Sequence, residues 1–411
     1  MQHIDGHMSI KQVLTQYPFL MDVFKQHGLG KFENPEVLEH LGPMLKLKTA
    51  LASLSINQEL FLQALEDQVR ERGSELGFTL ADNPERQREL SLLGLLPCGM
   101  KMSFSRGMDA FAEDFNRSQG ASFRYLVEGN MNHELSYNAY LGSVSSIEEL
   151  PDIIISSDIN AFYHPKFRRD FLDKGCFTDV LGGRLHSDFA AVGYADPEGQ
   201  FTMLSGNILV LVAIHALAEP FPRPEAWQDL FDPAFANAVV MRGQKEFFCN
   251  GVLLPLYARY GMEGLLQFAR SVHSGCHPSE MVKMIDSGRR DVPPFYVMPY
   301  FFAKKIKRQE AVTVIVPREG AIISPVQMLV KKSAAESMQG VTDFLCGKTF
   351  GQTCADAHFP STHPEVDNHL ESLSPLLWLG WDFLRSRDIG QLKNEMKESF
   401  REAFLRSGGL A

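Results

Sequence analysis

Apolar residues recur at helical spacing through the first seventy positions. Ile10, Val13, Leu14 and Tyr17 follow Ser9, and Phe19 to Phe24 follow Pro18. Phe61, Leu62, Leu65 and Val69 share one face of a segment that starts near Asn57. Ser9 is placed to cap the first helix, Pro18 to interrupt it, and Gly28-Leu29-Gly30 to stop the second. The pattern predicts a helical domain over residues 1–72. Residues 73–89 are polar and broken by Gly73, Gly77 and Pro84, which marks a linker and a domain boundary. From Leu90 the period changes. LSLLGLLP precedes a helical stretch with Met108, Phe111, Ala112 and Phe115; FRYLVEG and PDIIIS follow, the latter before a helix around Phe162 to Phe171. Strands alternating with helices predict a parallel sheet covered on both faces. Residues 388–406 carry Ile389, Leu392, Met396, Ala403 and Phe404 on one side and Lys393, Lys397, Glu398 and Arg401 on the other, which predicts a terminal helix docked on the first lobe of that α/β body.

The chain has 411 residues, more than one hydrophobic core usually serves, and 45% hydrophobic with 22% charged residues is an ordinary globular composition. A net charge of −10 argues against broad nucleic-acid or anionic-membrane contact. The longest apolar run, Ile208 to Ala218, falls short of the roughly 20 residues that span a bilayer and reads as a buried strand or core helix. MQHIDGHMSIKQ contains no apolar signal-peptide core, which points to the cytoplasm; a leader missing upstream would instead place the protein in the periplasm or outside the cell. Six cysteines without a C-x-x-C pair give neither a zinc ribbon nor a disulfide framework, although Cys346 and Cys354 are close in sequence. His358, His363 and His369, with Glu365 and Asp367, fit no standard metal spacing in their Pro-rich setting and read as a surface loop.

Residues 292–325, VPPFYVMPYFFAKKIKRQEAVTVIVPREGAIISP, order an apolar strand ending in aromatics, a short helix, a second strand and a Pro-Arg-Glu-Gly-Ala turn. This order resembles the iron and polyamine branch of the ABC-importer solute-binding proteins. PEAWQDLFDP at 224–233 resembles that family's P-x-S-W-x-D-L-L-D-P, YGMEGLLQFAR at 260–270 its following G-x-E helix, and SPLLWLGWDFLRSRDI the tail of a clostridial-type subgroup. The resemblance covers Leu90 to about Phe404. It implies an α/β fold, the two-lobed type II periplasmic-binding-protein architecture, with lobe one about 90–203 and 322–411, lobe two about 204–321, and crossovers near 200–207 and 316–324. Trp227 would then pack, Asp229 and Asp232 would cap or turn. Tyr17, Pro18, Leu20 and Val23 to Gly28 resemble a small helical domain of unknown function from anaerobic bacteria, here without the cysteines that many versions carry after the glycine.

In such a fold the site lies at the carboxyl ends of the strands, beside helix N-termini. The candidates are therefore Cys98 and Lys101 after the first strand, Asn130 and Asn132 after the second, and Ser156, Ser157 and Asp158 after the third. Lys245, Glu246 and Tyr300 form the facing wall. Ferric-binding relatives place adjacent tyrosines where this chain reads Tyr300-Phe301-Phe302, so one phenol remains and a tyrosine-held metal is not expected. The expected activity is hinge closure on a small polar or anionic molecule, without catalysis, with the helical domain docking a protein partner. No cofactor follows from the sequence. The alternatives are an enzyme using the same cleft, with Cys98, Lys101, Asp158 or Glu246 as reactive groups, and an exported iron-type importer component.

Overall fold

The computed structural model describes residues 4–54, 89–119, 123–129, 140–244 and 247–409, together with Ile56, Gln58, Phe61, Leu62 and Leu65. The chain divides into two compact units, Met1–Thr79 with Val282–Arg289, and Leu80–Met281 with Arg290–Ala411. The predicted linker, apart from Glu89, lies outside the described residues.

In the helical unit, α1 (Ile10–Gln16), α2 (Met21–Gln26), α3 (Pro35–His40) and α4 (Leu47–Ser53) surround a core that includes Ile10, Val13, Phe24, Phe32, Phe61 and Leu65. Ser9 does cap α1: its Oγ accepts from Gln12 N at 3.2 Å while Gln12 Oε1 accepts from Ser9 N at 2.8 Å, so two orphan donors of the first turn are satisfied reciprocally. Pro18 opens a separate 3-10 turn, and Gly28, at φ 76°, ends α2 in a backbone region that a side chain disfavours.

The second unit is built on twelve described strands. They are β1 (Leu92–Leu96), β2 (Tyr125–Gly129), β3 (Ile153–Ser157), β4 (Phe177–Thr178), β5 (Phe201–Ile214), β6 (Val239–Gln244), β7 (Phe247–Phe248), β8 (Val272–Cys276), β9 (Phe295–Pro299), β10 (Val312–Ile315), β11 (Ala321–Lys331) and β12 (Leu376–Leu377). The main path runs β2-β1-β3-β11-β5-β9-β6-β7. Parallel β2, β1 and β3 form one half; β9, β6 and β8, also mutually parallel, form the other. Between them β5 and β11 run antiparallel, Ile322 opposite Leu209 through Leu329 opposite Phe201, with a register shift at Val326 and Gln327. The two lobes are therefore not separate sheets joined by loops. The crossover segments are themselves strand: Val326–Val330 of β11 pairs with β3, while Leu209–Ala213 of β5 pairs with β9. The apolar run from Ile208 becomes the buried end of β5 and then a short helix from His215.

Two elements carry the halves' strand ends. Helix α5 (Cys98–Gln119) leaves β1, and α6 (Asn250–Ser271) follows β7. The terminal helix α7 (Ile389–Arg406) corrects an expectation. It packs chiefly on the second half, Phe400 against Phe248 and Phe268 at 4.9 and 6.1 Å and Phe404 against Phe248 at 5.0 Å between ring centroids. Its N-terminal part reaches the first half, where Lys393 Nζ donates to Ile159 O at 2.9 Å. The apolar stripe predicted a docked face correctly; it could not say which surface supplied the complementary phenylalanines.

Candidate functional site

Ser156 and Ser157 end β3, and both hydroxyls are engaged by neighbouring strands. Ser156 Oγ accepts from Gln327 Nε2 at 2.9 Å, and Ser157 Oγ donates to Leu95 O at 3.2 Å. Asp158 follows at φ 66°, a left-handed conformation that Asp tolerates better than most residues, held by its N–H to Pro325 O at 2.8 Å. Its side chain is buried. Oδ1 accepts from Ile159 N at 2.9 Å, and Oδ2 lies 3.9 Å from Cys249 Sγ. Cys249 is the N-cap of α6, and a methyl group on Gly251 would come within 3.1 Å of Asp158 Oδ1. The end of β3 in one half thus faces the first turn of a helix in the other.

A second meeting point lies at the start of α5. The phenyl ring of Phe301 covers Gly99 so closely that a Cβ there would lie 2.6 Å from the ring, and Phe301 also packs on Phe302 and Phe359 at 5.1 and 5.5 Å. Lys101, one turn into α5, is 2% exposed. Tyr300 begins a four-residue helix after β9; its ring meets His358 edge-on at 5.7 Å, with Lys304 Nζ also 5.7 Å from the ring centroid. Lys305 Nζ stands 5.5 Å from the Phe301 ring. Burial first, then the ammonium groups of Lys304 and Lys305, push His358 below its ordinary pKa, with Asp356 opposing. The local field is therefore positive beside Tyr300.

The structure places Cys98 at the head of α5, though only its backbone is described; Asn130, Asn132, Lys245 and Glu246 lie outside the described residues. Sequence reasoning missed Gly99, Phe301, Cys249, Gly251, Gln327 and His358. A Gly directly after a strand-end Cys was the one available signal. Gln327 is fully buried, and its Oε1, like Ser324 Oγ on the same strand, has no hydrogen-bond partner among the described residues. Among the described residues no group of three His, Cys, Asp or Glu side chains could hold a metal ion.

The predicted histidine surface loop exposes Glu365, Asp367 and His369, and residues between its histidines are stitched to β5. Thr362 Oγ1 donates to Met203 O at 2.6 Å, Thr362 N to Leu204 O at 3.0 Å, and Ser205 Oγ to Pro360 O at 2.8 Å. Ser361, Thr362 and Asn368 are buried, Thr362 with its hydroxyl on the β5 backbone and Asn368 with its amide on the backbone of Ser361.

A model of the bacterial extracellular solute-binding proteins matches residues 148–387, more than half of the chain. The chain belongs to that family. A domain of unknown function (DUF1858) matches residues 4–62. No curated relative matches the sequence. Among solved structures, the periplasmic binding protein P5PA is similar over 76% of this chain and 99% of its own, with TM-score 0.53 at 12% identity. An ABC transporter protein from Clostridium perfringens covers 77% and 99% with TM-score 0.51 at 14% identity. A Bordetella ferric binding protein covers 76% and 98%, with TM-score 0.51 at 15% identity. At such identities the likeness shows the fold alone. As a member of the family, the protein is a solute-binding protein of the ABC-importer type. The family is described as extracellular, and no described helix is long and apolar enough to cross a membrane.

Proposed function

We propose that the α/β unit binds a small anionic solute between lobe one, about residues 90–203 and 322–411, and lobe two, about 204–321. Closure bends the paired strands β5 and β11, two of the chain's crossings between the halves. The observation that carries this reading is the convergence of strand ends from both halves, Asp158 on the first turn of α6 and Phe301 on the first turn of α5. Helix N-termini favour anions, and Lys101, Lys304 and Lys305 add cationic side chains around them. Cys98, Asn130, Asn132, Ser156, Ser157, Asp158, Lys245, Glu246 and Tyr300 complete the proposed wall, the two serines through their backbone because their hydroxyls are engaged. The helical unit serves as a docking module, a role supported by the exposed Leu41 and Met44, 49% and 82% accessible.

A thermal-shift screen of the full chain against oxyanions, carboxylates, phosphorylated metabolites, polyamines and ferric iron tests the reading, since a ligand selective for the folded form stabilises it by mass action. Selective stabilisation by an anion, abolished by Lys101→Met, is the expected result; a response to polyamines or iron alone would overturn it. With that anion in hand, Tyr300→Phe should weaken binding by about 1–2 kcal/mol through loss of one hydrogen bond, and Tyr300→Ala by more. Titration calorimetry decides: unchanged affinity in both variants returns Tyr300 to a packing role.

A further inference from the structure

Among the contacts between the halves, two are made by side chains at the strand ends that the reading above assigns to the solute. Asp158 presents a carboxyl group, 2% exposed, to the N-terminal turn of α6. Phe301 fills the space over Gly99 at the head of α5. The neighbouring residue Ile159 is gripped as well, its carbonyl accepting from Lys393 Nζ of α7, which is anchored on lobe two through Phe400 and Phe404. The Asp158-Ile159 dipeptide is therefore clasped by α6 and by α7 at once.

We propose that this protein closes without a solute, its cleft latched by Asp158 against α6 and Phe301 against α5, and that a solute binds by displacing these internal occupants. The latch rests on the reading of the cleft as the solute site. A carboxyl group at a helix N-terminus gains from the macrodipole as an anionic ligand would, and a buried ring gains from leaving water. Both gains accrue only in the closed form. They shift the hinge equilibrium toward closure and lower the apparent affinity for any solute by the fraction of open, competent molecules. A latch of this kind sets a threshold concentration below which the protein stays shut and empty.

Two glycines make the latch testable without removing either occupant. Gly99 and Gly251 lie in first helical turns, where alanine is the better helix former, so Gly99→Ala and Gly251→Ala leave the helices intact. Each added methyl group meets its tightest contact across the cleft, Gly99 with Phe301 at 2.6 Å and Gly251 with Asp158 at 3.1 Å. Amide hydrogen exchange of the ligand-free full chain is the measurement. If the latch is one device, Gly251→Ala accelerates exchange by about tenfold around Gly99 and Phe301, and Gly99→Ala does the same around Asp158 and Gly251, while β5 and β11 stay protected. Acceleration confined to the mutated turn, or wild-type segments that already exchange as an open cleft would, overturns the proposal. Because the readout needs no solute, its failure is distinct from failure of the ligand screen. Asp158→Asn serves as the second variant: asparagine tolerates the left-handed backbone and removes the charge, and the same distant acceleration around Gly99 is expected.

Discussion

Trp227→Ala is expected to lower the unfolding free energy of the α/β unit by about 3–5 kcal/mol, the range for deleting a large buried aromatic side chain. Trp227 is fully buried, its Nε1 donates to Gly320 O at 2.9 Å, and its backbone N donates to Glu319 Oε2 at 3.0 Å. Glu319 also accepts from the Tyr260 hydroxyl, and Arg318 N donates to Glu225 O at 2.7 Å. Gly320 sits at φ 116° with the backbone of Leu376 and Leu377 so close that a Cβ would come within 2.6 Å, so the turn admits only glycine there. Truncation would leave both a cavity and the Gly320 carbonyl without its donor. Stabilities of folded domains are about 5–15 kcal/mol, so a loss of this size is a large share. Urea unfolding followed by circular dichroism checks it, with Trp227→Phe, which keeps most of the volume but loses the N–H, expected between wild type and alanine. A loss below about 1 kcal/mol for alanine would show that the tryptophan is not what fixes the turn.

That turn explains why two separated motifs were both legible. PEAWQDLFDP and PREGA are a single structural knot at the entry to β11. Asp229 Oδ2 accepts from Glu225 N and Ala226 N at 2.7 and 2.9 Å, and Asp232 Oδ1 from Ala234 N at 2.8 Å, which are the capping and turning roles their positions implied. Short-range chemistry of this sort is written in the chain: a cap needs a residue two to four positions away, and Ser9 with Gln12 is another case. The alternation of strands and helices in the first half was legible from the periodicity, but not the spatial order of its strands. What the motifs mark is the support of β11, apart from the strand-end contacts of Asp158 and Phe301.

The contacts at the strand ends were legible only in part. Strand-end logic named Lys101, Asp158 and Tyr300 as candidates, because the ends of parallel strands share one edge. It could not reach the pairing of Gly99 with Phe301 or of Asp158 with Gly251, each of which joins residues far apart in the chain. A glycine reads alike whether it relieves backbone strain or admits a ring from across a cleft. The 358–369 stretch was legible in part for a related reason: Glu365, Asp367 and His369 are exposed as expected, but Ser361, Thr362 and Asn368, which look solvated by type, are buried with their polar atoms matched to β5 or to one another, Asn368 Oδ1 and Nδ2 both to Ser361 at 2.7 Å. Polar composition predicts exposure only where the backbone nearby has no unmet hydrogen bonds.

Stability of the α/β unit is expected to fall steeply as pH drops from 6.5 towards 4, and His164 is the group expected to contribute most. Burial first, then the Lys393 ammonium, lower its pKa from 6.5 to about 4, with Asp388 pulling weakly the other way. Its Nε2 is buried without a partner among the described residues, and its ring lies against the first turn of α7, where a Cβ on Gly390 would come within 3.2 Å. Because the folded pKa lies below the unfolded one, the unfolded chain takes up the proton first as the solution acidifies. The contribution is therefore complete above pH 6.5, shrinks as the unfolded form protonates, and is lost by about pH 4. Its full size is about 3 kcal/mol, each tenfold difference in proton affinity between the folded and unfolded chain being worth about 1.36 kcal/mol. His273 and His358 are lowered in the same direction, so the test is a difference between proteins. Urea midpoints of wild type and His164→Gln, measured from pH 7.5 to 4.5, should converge at the acid end, with the variant losing less stability across the interval. Parallel curves would assign the acid lability to other groups. Lys393 gives the effect a mechanical side, since the same ammonium that repels protonated His164 holds Ile159 O beside Asp158. Charging His164 places two cations at the joint between α7 and lobe one, and that joint is expected to be the first part of α7 to release in acid.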